Sequence, residues 1–238
     1  MSGDRALPVV EVFGPTIQGE GPDAGLPTHF VRFGGCDYRC SWCDSMHAVE
    51  PALVREAERM TLKEVARRVY DLGPPRRVVL SGGNPALHDL LPLVRKLRDL
   101  GYAIGVETQG SVWRDWLGLA SPLVVSPKPP SSGVPKSGLA RFMERARRFG
   151  FDGRIALKVV VFDEGDLEWT VRLRERYPRY PLYLCVGTPV GRSDAETRAE
   201  VARRYVWLVE RVAGRQGMQG TRVLPQLHVV AFGTRRRV

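Results

Sequence analysis

The sequence predicts an α/β fold in which a parallel sheet curls into a partial barrel. Short β-branched and aliphatic runs alternate along the chain with amphipathic stretches of helical length, which is the order of right-handed β-α-β crossovers. The 238 residues, of which 43% are hydrophobic, are enough to bury the core of one such domain. Polar motifs follow several predicted strands, and the carboxyl ends of parallel strands share one rim, so we expect these motifs to meet.

The N-terminal elements come first. Residues 9–12 predict a short strand that ends in a loop at Gly14, and residues 28–33 predict a second strand that leads into a cysteine-rich loop. Thr61 and Glu64 form a capping-box pattern before apolar residues at helical spacing, which predicts a helix there. Residues 44–60 are expected to be the longest irregular segment.

The rest of the chain alternates between the two kinds of element. Strands are predicted at residues 78–80, 103–106, 123–125, 155–162 and 182–186, and helices at about residues 90–100, 139–149 and 167–177. A second capping box, Ser193 with Glu196, opens a long helix that runs toward Val212. Residues 223–232 are predicted to form a closing strand that Pro225 interrupts.

Three of the four cysteines follow the pattern Cys-x3-Cys-x2-Cys, at Cys36, Cys40 and Cys43. Three thiolates this close can ligate three corners of an iron–sulfur cluster and leave the fourth iron open to a ligand that is not protein. A structural zinc site with His47 as fourth ligand is the alternative, although closed zinc sites usually present two separated pairs of ligands. Cys185 lies in an apolar segment and is predicted to pack in the core.

The formal net charge of +10 comes mostly from arginines spread among glutamates on predicted helices. Such spread charge is typical of a solvated face, so we expect no nucleic-acid partner. The denser run at residues 235–237 is more typical of a disordered tail than of a functional segment. The sequence shows no secretory signal and no membrane-spanning stretch, and cysteines at these spacings do not form a disulfide framework, so a cytoplasmic protein is expected.

Three strand-end motifs have the residue types of a binding site. Residues 81–85 contain a glycine pair whose backbone can approach a ligand closely, and residues 107–110 place a carboxylate, a hydroxyl and an amide together. In residues 126–130 the prolines hold Lys128 stiffly, which suits a ligand carboxylate or hydroxyl. Each motif alone also has a structural explanation: a tight turn, an ion pair or a rigid surface turn. His228 lies in an apolar segment. From the neighbouring residues alone we interpret it as a core histidine that forms a hydrogen bond.

Together these segments resemble the radical S-adenosylmethionine superfamily and, within it, the 7-carboxy-7-deazaguanine synthase family. The resemblance runs nearly from end to end and rests on residues 13–21, 36–45, 81–87, 107–110, 126–132 and 224–228. It implies a single radical S-adenosylmethionine domain over residues 1–238, with a curtailed barrel. It also implies a [4Fe-4S] cluster, S-adenosylmethionine and Mg2+ as cofactors.

The resemblance further implies a role for each matching residue. Cys36, Cys40 and Cys43 would hold the cluster, and the Ser45 hydroxyl would ligate Mg2+. The implied S-adenosylmethionine-binding residues are Trp42, Cys43, Asp44, Gly82, Gly83, Gly110, Ser126, Pro127 and Lys128. The implied substrate-binding residues are Ile17, Gln18, Gly19, Glu20, Arg32, Thr108 and His228. Asn84 departs from the superfamily pattern, since many members have glutamate there.

The activity implied by the resemblance is that of a lyase in queuosine and 7-deazapurine biosynthesis. It would convert the small pterin 6-carboxy-5,6,7,8-tetrahydropterin to 7-carboxy-7-deazaguanine with loss of ammonia, without a catalytic side chain, because the cofactor supplies the reactive species. The resemblance also implies a homodimer and an electron donor such as flavodoxin or ferredoxin. Two alternatives stay open: a glycyl-radical-activating enzyme of the same superfamily and a zinc-bearing RNA-binding module.

Overall fold

A computed structural model describes residues 6–134, 138–151, 155–188 and 193–237. Within these residues nine strands form one sheet in the order β3-β1-β2-β4-β5-β6-β7-β8-β9. The strands are β1 (Leu7–Ile17), β2 (Pro27–Phe33), β3 (Glu58–Met60), β4 (Arg77–Gly82), β5 (Ala103–Thr108), β6 (Leu123–Val125), β7 (Ile155–Val161), β8 (Leu182–Val186) and β9 (Arg222–Leu224). The α-helices are α1 (Pro51–Arg55), α2 (Leu62–Asp71), α3 (Leu91–Asp99), α4 (Leu139–Arg148), α5 (Glu164–Arg176), α6 (Asp194–Ala213) and α7 (Leu227–Phe232).

The sheet is parallel from β2 through β9, which confirms the predicted crossover topology. β1 runs antiparallel to both β2 and β3, an arrangement that the sequence did not predict. β3 and β9 stand at the two ends of the strand order, so the sheet is open and the barrel is partial, as expected. The segment expected to be irregular, residues 44–60, contains α1 and β3.

β1 is longer than predicted because it continues through Gly14 and the following proline. Its register against β2 shifts between Phe13 and Thr16, and a bulge of this kind lets a strand accommodate a residue that cannot donate to the ladder. A Cβ atom on Gly14 would lie 2.5 Å from the Nδ1 atom of His29, so the close approach of β2 requires glycine there. The extension carries the chain to Gln18, beside the strand ends.

The prediction of a closing strand over residues 223–232 was wrong. β9 ends at Leu224, immediately before Pro225, which has no N–H group with which to continue the ladder. The chain then turns into α7, whose Val229 packs in the core. The consequence for function is that His228 lies on a helix and not on a strand.

Both predicted capping boxes are present. The Thr61 side chain accepts a hydrogen bond from the backbone N–H of Glu64, and the Ser193 side chain accepts one from the backbone N–H of Glu196. In each box the glutamate side chain accepts a hydrogen bond from the backbone N–H of the capping residue. The core packs between the sheet and these helices, and the side chains of each inner strand alternate between the core and the opposite face. Among the described helices, none combines the length and apolar character that crossing a membrane requires.

Candidate functional site

The strand ends surround one cavity of about 220 Å3. All but two of the residues that the family resemblance marked lie in its wall: Ile17, Gln18, Gly19, Glu20, Arg32, Cys36, Cys40, Trp42, Cys43, Asp44, Ser45, Gly82, Gly83, Thr108, Ser126, Lys128 and His228. Gly110 and Pro127 lie outside the wall. At Gly110 a Cβ atom would come within 2.6 Å of Val125 and 3.1 Å of Leu139, so this glycine is needed for close packing behind the cavity.

The cysteine loop, residues 34–45, is fixed on one side by Asp37. The Asp37 carboxylate accepts a hydrogen bond of 2.9 Å from the Asn84 amide and one of 2.5 Å from the Gln109 amide. Gln109 also approaches the Cys36 sulfur, at 3.5 Å. The loop is therefore tied to the ends of β4 and β5 through an acidic residue that the sequence did not single out.

Asn84 is fully buried behind the cavity wall. Its amide nitrogen donates to Asp37 and to the Ser111 hydroxyl, and its amide oxygen accepts from the Thr108 hydroxyl at 2.9 Å. A glutamate here would bring a second carboxylate against Asp37, so the asparagine suits its surroundings. The departure from the superfamily pattern thus falls on a residue that organises the cysteine loop.

On the other side of the loop, Trp42 is held by a chain of hydrogen bonds that begins at α5. The Trp42 indole N–H donates to the Ser131 hydroxyl at 2.9 Å, and its ring lies 4.9 Å from that of Phe162. Ser131 in turn donates through both its backbone N–H and its hydroxyl to the buried carboxylate of Asp166, at 3.0 and 2.6 Å. Sequence reasoning missed Asp166, because an acidic residue in the first turn of a helix is ordinarily a surface feature.

The three cysteines lie together in one wall of the cavity. Cys36, Cys40 and Cys43 are half-buried there and form no disulfide. In a [4Fe-4S] cluster each thiolate binds a different iron, so three cysteines in one wall are suitable ligands for such a cluster. His47, the fourth ligand of the zinc alternative, lies 3.7 Å from the Glu11 carboxylate.

Burial controls the protonation of the thiols in the cysteine loop. Burial raises the pKa of the Cys40 thiol to about 11, helped by the neighbouring Cys43 and Cys36, while Lys128 opposes the rise. Without a metal the thiols therefore stay protonated at neutral pH, and coordination is what would deprotonate them. Lys128 reaches over the loop, with its ammonium 5.7 Å from the centre of the Trp42 ring and 3.2 Å from the Ser126 hydroxyl.

The glycine pair at the end of β4 lies so close to neighbouring backbone that no side chain fits at either position. A Cβ atom on Gly82 would lie 2.0 Å from the Phe33 carbonyl oxygen, and one on Gly83 would lie 2.2 Å from that of Gly35. Both glycines also line the cavity, so the bare backbone is available to a ligand on its open side. The pair therefore brings the cysteine loop and the cavity wall into contact.

Five further lining side chains form what we call the polar floor: Gln18, Glu20, Glu107, Lys158 and Gln226. The Lys158 ammonium donates to Glu20 and, at 3.2 Å, to Glu107. Gln18 donates to the other oxygen of Glu107 at 2.9 Å, and Gln226 donates to the other oxygen of Glu20 at 2.6 Å. His228 lies against Gly19 beside this floor, and a Cβ atom on Gly19 would lie 2.1 Å from the Nδ1 atom of His228.

Sequence reasoning missed Lys158 and Gln226, and it considered Glu107 without placing it in the site. The signal for Lys158 was present, since it is the one charged residue in the seven-residue strand β7. A lone charge in a buried strand needs a partner, and that requirement points to a polar cluster. Burial opposes ionisation of Glu20, but Lys158 and His228 outweigh burial and lower the pKa of this carboxyl to about 2.

A second buried carboxylate, that of Glu11, anchors Arg32 in the wall. The Glu11 carboxylate accepts from Arg32 Nε at 2.9 Å and from Arg236 Nη2 at 2.6 Å. Arg32 also donates to the Ser45 hydroxyl at 3.1 Å, which places it between Glu11 and the predicted Mg2+ ligand. Sequence reasoning missed Glu11 and expected a disordered tail, whereas Arg236 in that tail forms an ion pair.

The two buried carboxylates give stability its pH dependence. Burial acts to raise the pKa of Glu11, but His47, Arg236 and Arg32 together lower it to about 2, as in Glu20. Because the folded-state pKa lies below the unfolded value of 4.5, the stabilisation is complete above about pH 4.5 and is lost as the pH falls toward 2.

We expect Glu11→Gln to reduce the fall in unfolding free energy between pH 4.5 and pH 2, measured by urea titration at each pH. An unchanged pH dependence would contradict the assignment.

Comparisons with known proteins agree with this geometry. The model of the radical SAM superfamily matches residues 30–122. The 7-carboxy-7-deazaguanine synthases of Bacillus cereus and Bacillus subtilis are each 39% identical to this chain, over 98% of this chain and 99% of each relative. The crystal structure of QueE from Escherichia coli matches with a TM-score of 0.66 over 94% of this chain and 95% of that chain, at 24% identity, which shows the shared fold.

These similarities extend over nearly the whole chain. They confirm the resemblance to the radical S-adenosylmethionine superfamily, and with it the cofactors common to that superfamily, a [4Fe-4S] cluster and S-adenosylmethionine. They do not favour either of the two alternatives left open by the sequence. The chain belongs to the 7-carboxy-7-deazaguanine synthase family of the radical S-adenosylmethionine superfamily.

Proposed function

We propose that this protein converts 6-carboxy-5,6,7,8-tetrahydropterin to 7-carboxy-7-deazaguanine with loss of ammonia, a carbon–nitrogen lyase reaction of queuosine and 7-deazapurine biosynthesis. The observation that carries the proposal is that the three cysteines and the polar floor line the same cavity. The floor presents oxygen acceptors to a ring with N–H donors. The relatives from both Bacillus species, which are named for this product, support the same activity.

The cysteine end of the cavity would hold the cofactors. When bound, the cluster and S-adenosylmethionine supply one-electron, hydrogen-abstracting chemistry. Cys36, Cys40 and Cys43 would ligate the cluster. S-adenosylmethionine would lie along Trp42, Cys43, Asp44, Gly82, Gly83, Ser126 and Lys128. Gly110 and Pro127 lie outside the wall, and their role in binding it stays a prediction.

The side chains of this protein position the substrate, since no catalytic side chain is needed. Arg32 would bind the carboxylate of the pterin, because a guanidinium fork matches a carboxylate in geometry and charge. Ile17, Gln18, Gly19, Glu20, Thr108 and His228 would surround the ring. The stacked rings of Phe13 and Phe30, 5.3 Å apart, supply an apolar wall that excludes water from one side. Fixed distances matter most here, because a reactive radical attacks whichever bond is closest.

Ser45 would hold Mg2+ through its hydroxyl, which already lies among charged groups. It accepts from Arg32 at 3.1 Å and donates to Asp44 at 2.9 Å, so an oxygen-rich corner is present. We expect Ser45→Ala to lose the stimulation of turnover by Mg2+ and to lower kcat/KM by about tenfold. Ser45→Thr keeps the hydroxyl and is the matched control. Equal stimulation in Ser45→Ala and wild type would contradict this role.

The electron donor, the oligomeric state and the location rest on family resemblance. We infer a flavodoxin- or ferredoxin-type donor, a homodimer and a cytoplasmic enzyme. We also infer a single domain over the whole chain, which the one sheet and one core of the described residues support.

The activity is tested with anaerobically reconstituted protein, a reductant, S-adenosylmethionine and the carboxytetrahydropterin. The proposal predicts a product with the ultraviolet absorption and mass of 7-carboxy-7-deazaguanine, and recovery of S-adenosylmethionine after many turnovers. Release of 5'-deoxyadenosine without that product would overturn it and favour an activating enzyme that consumes its cofactor.

A further inference from the structure

Lys158 is the most deeply buried cation of the cavity. It lies in β7, where Leu157, Val159 and Val161 face the core while Lys158 and Val160 face the cavity. Only 4% of the Lys158 surface is exposed. Placing an ammonium group at such a depth costs free energy unless acceptors compensate for the lost water, so its partners define what it does.

The partners of Lys158 are the two carboxylates of the polar floor. Its ammonium group donates to one oxygen of Glu20 and to one oxygen of Glu107. Gln226 and Gln18 each donate to one of the two remaining oxygens, so all four carboxylate oxygens already accept one hydrogen bond from the protein. A carboxylate has about four lone-pair sites, so roughly half of the acceptor capacity is left for a ligand.

The charge balance of the floor follows from the same contacts. Within the floor, two carboxylates against one ammonium leave a single net negative charge, and His228 is a further titratable group that faces Glu20. Without the ammonium, burial and mutual repulsion would favour a proton shared between Glu20 and Glu107. That proton would occupy an acceptor position and would let the two carboxyl groups reorient.

We propose that Lys158 is a specificity-determining positioning residue, which fixes the carboxylates of Glu20 and Glu107 so that the floor accepts the adjacent ring N–H and NH2 donors of a 2-amino-4-oxopyrimidine ring. This inference rests on the proposed function, since a pterin carries such a ring. Two parallel N–H donors match a carboxylate as a guanidinium fork does. A ring with a carbonyl in place of the amino group would offer an acceptor to this acceptor-rich floor and would be rejected.

The proposal is tested by calorimetric titration of the anaerobically reconstituted protein with 6-carboxypterin and with 6-carboxylumazine, its 2-oxo counterpart. Both probes are fully oxidised, so binding is measured without turnover. We expect wild type to prefer the 2-amino probe by about tenfold or more. Lys158→Met should lose most of this preference. Its affinity for 6-carboxypterin should weaken more steeply than that of wild type as the pH falls from about 7 to about 5, because the shared proton then competes with the ligand.

Two further variants keep the test decisive. Lys96→Met, on the exposed face of α3, removes a lysine far from the floor and should match wild type. Glu20→Gln combined with Lys158→Met restores the single negative charge and removes the second carboxylate, so it should fold even where Lys158→Met does not. It should bind 6-carboxypterin weakly, with a pH dependence no steeper than that of wild type.

The outcomes separate the two levels of the argument. Wild-type selectivity and pH behaviour in Lys158→Met, or a steeper pH dependence in the double variant than in wild type, would overturn the role of Lys158 and leave the proposed function standing. Wild-type protein that binds neither probe and forms no deazaguanine would overturn both.

Discussion

Replacing Cys40 with alanine should abolish turnover. Cys40 lies in the cavity wall with Cys36 and Cys43, and with only two thiolates the cluster would lose one of its three protein ligands. The variant reconstituted without oxygen should lack the broad visible absorption of the cluster, and its formation of 7-carboxy-7-deazaguanine should fall to background. Absorption spectra and product assays on the same sample check both expectations.

Cys185 provides the matched control for this experiment. It is fully buried on β8 and does not line the cavity, and it lies near Lys158 and Glu20, so Cys185→Ala removes a buried sulfur and leaves the cysteine loop intact. We expect this variant to be less stable by about 1 kcal/mol, to keep its cluster and to keep measurable activity. Equal loss of cluster and activity in both variants would show that the effect of Cys40→Ala is a general loss of folding.

The second large effect is expected at Arg32. Its Nε atom is committed to Glu11 and its Nη1 atom to Ser45, so the guanidinium is held in one orientation while the rest of the fork faces the cavity. Arg32→Lys keeps the charge but cannot maintain both contacts and bind a carboxylate bidentately. We expect the KM for the carboxytetrahydropterin to rise by about 100-fold, with a smaller change in kcat, in steady-state assays.

Two further variants serve as comparisons for Arg32→Lys. Glu11→Gln leaves Arg32 in place and weakens its anchor, so KM should rise in the same direction by less. Arg68→Lys breaks an exposed bidentate pair with Glu58 on the surface and should leave KM unchanged. A KM in Arg32→Lys within about twofold of wild type would contradict the assignment of Arg32 to the substrate carboxylate.

The parts of the fold that follow from local patterns were predicted well. The capping boxes at Thr61 and Ser193 and the buried strands were readable because backbone hydrogen bonding and periodicity act over a few residues. The antiparallel pairing of β1 was not, since strand direction depends on contacts distant in sequence. The segment after Pro225 was also misassigned, because a short apolar run fits a strand or a helix equally well.

The residues of the site also divide into those that a local sequence pattern predicts and those that it does not. The cysteine triplet and the strand-end motifs carry their chemistry in a few adjacent letters, so their convergence could be predicted from the sharing of one sheet edge. Glu11 and Lys158 are single charged residues in apolar strands, and their partners Arg236 and Glu20 lie 225 and 138 positions away. No local pattern specifies pairs at that separation. What the sequence does show is that each buried charge must have a partner somewhere.

The proposed function depends on an iron–sulfur cluster held by Cys36, Cys40 and Cys43 in the cavity that receives the pterin. This is checked by measuring iron, acid-labile sulfide and zinc in protein purified and reconstituted without oxygen. We expect about four iron and about four sulfide ions per chain, with an absorption spectrum that responds to S-adenosylmethionine. One tightly held zinc ion per chain, with no sulfide, would rule the cluster out.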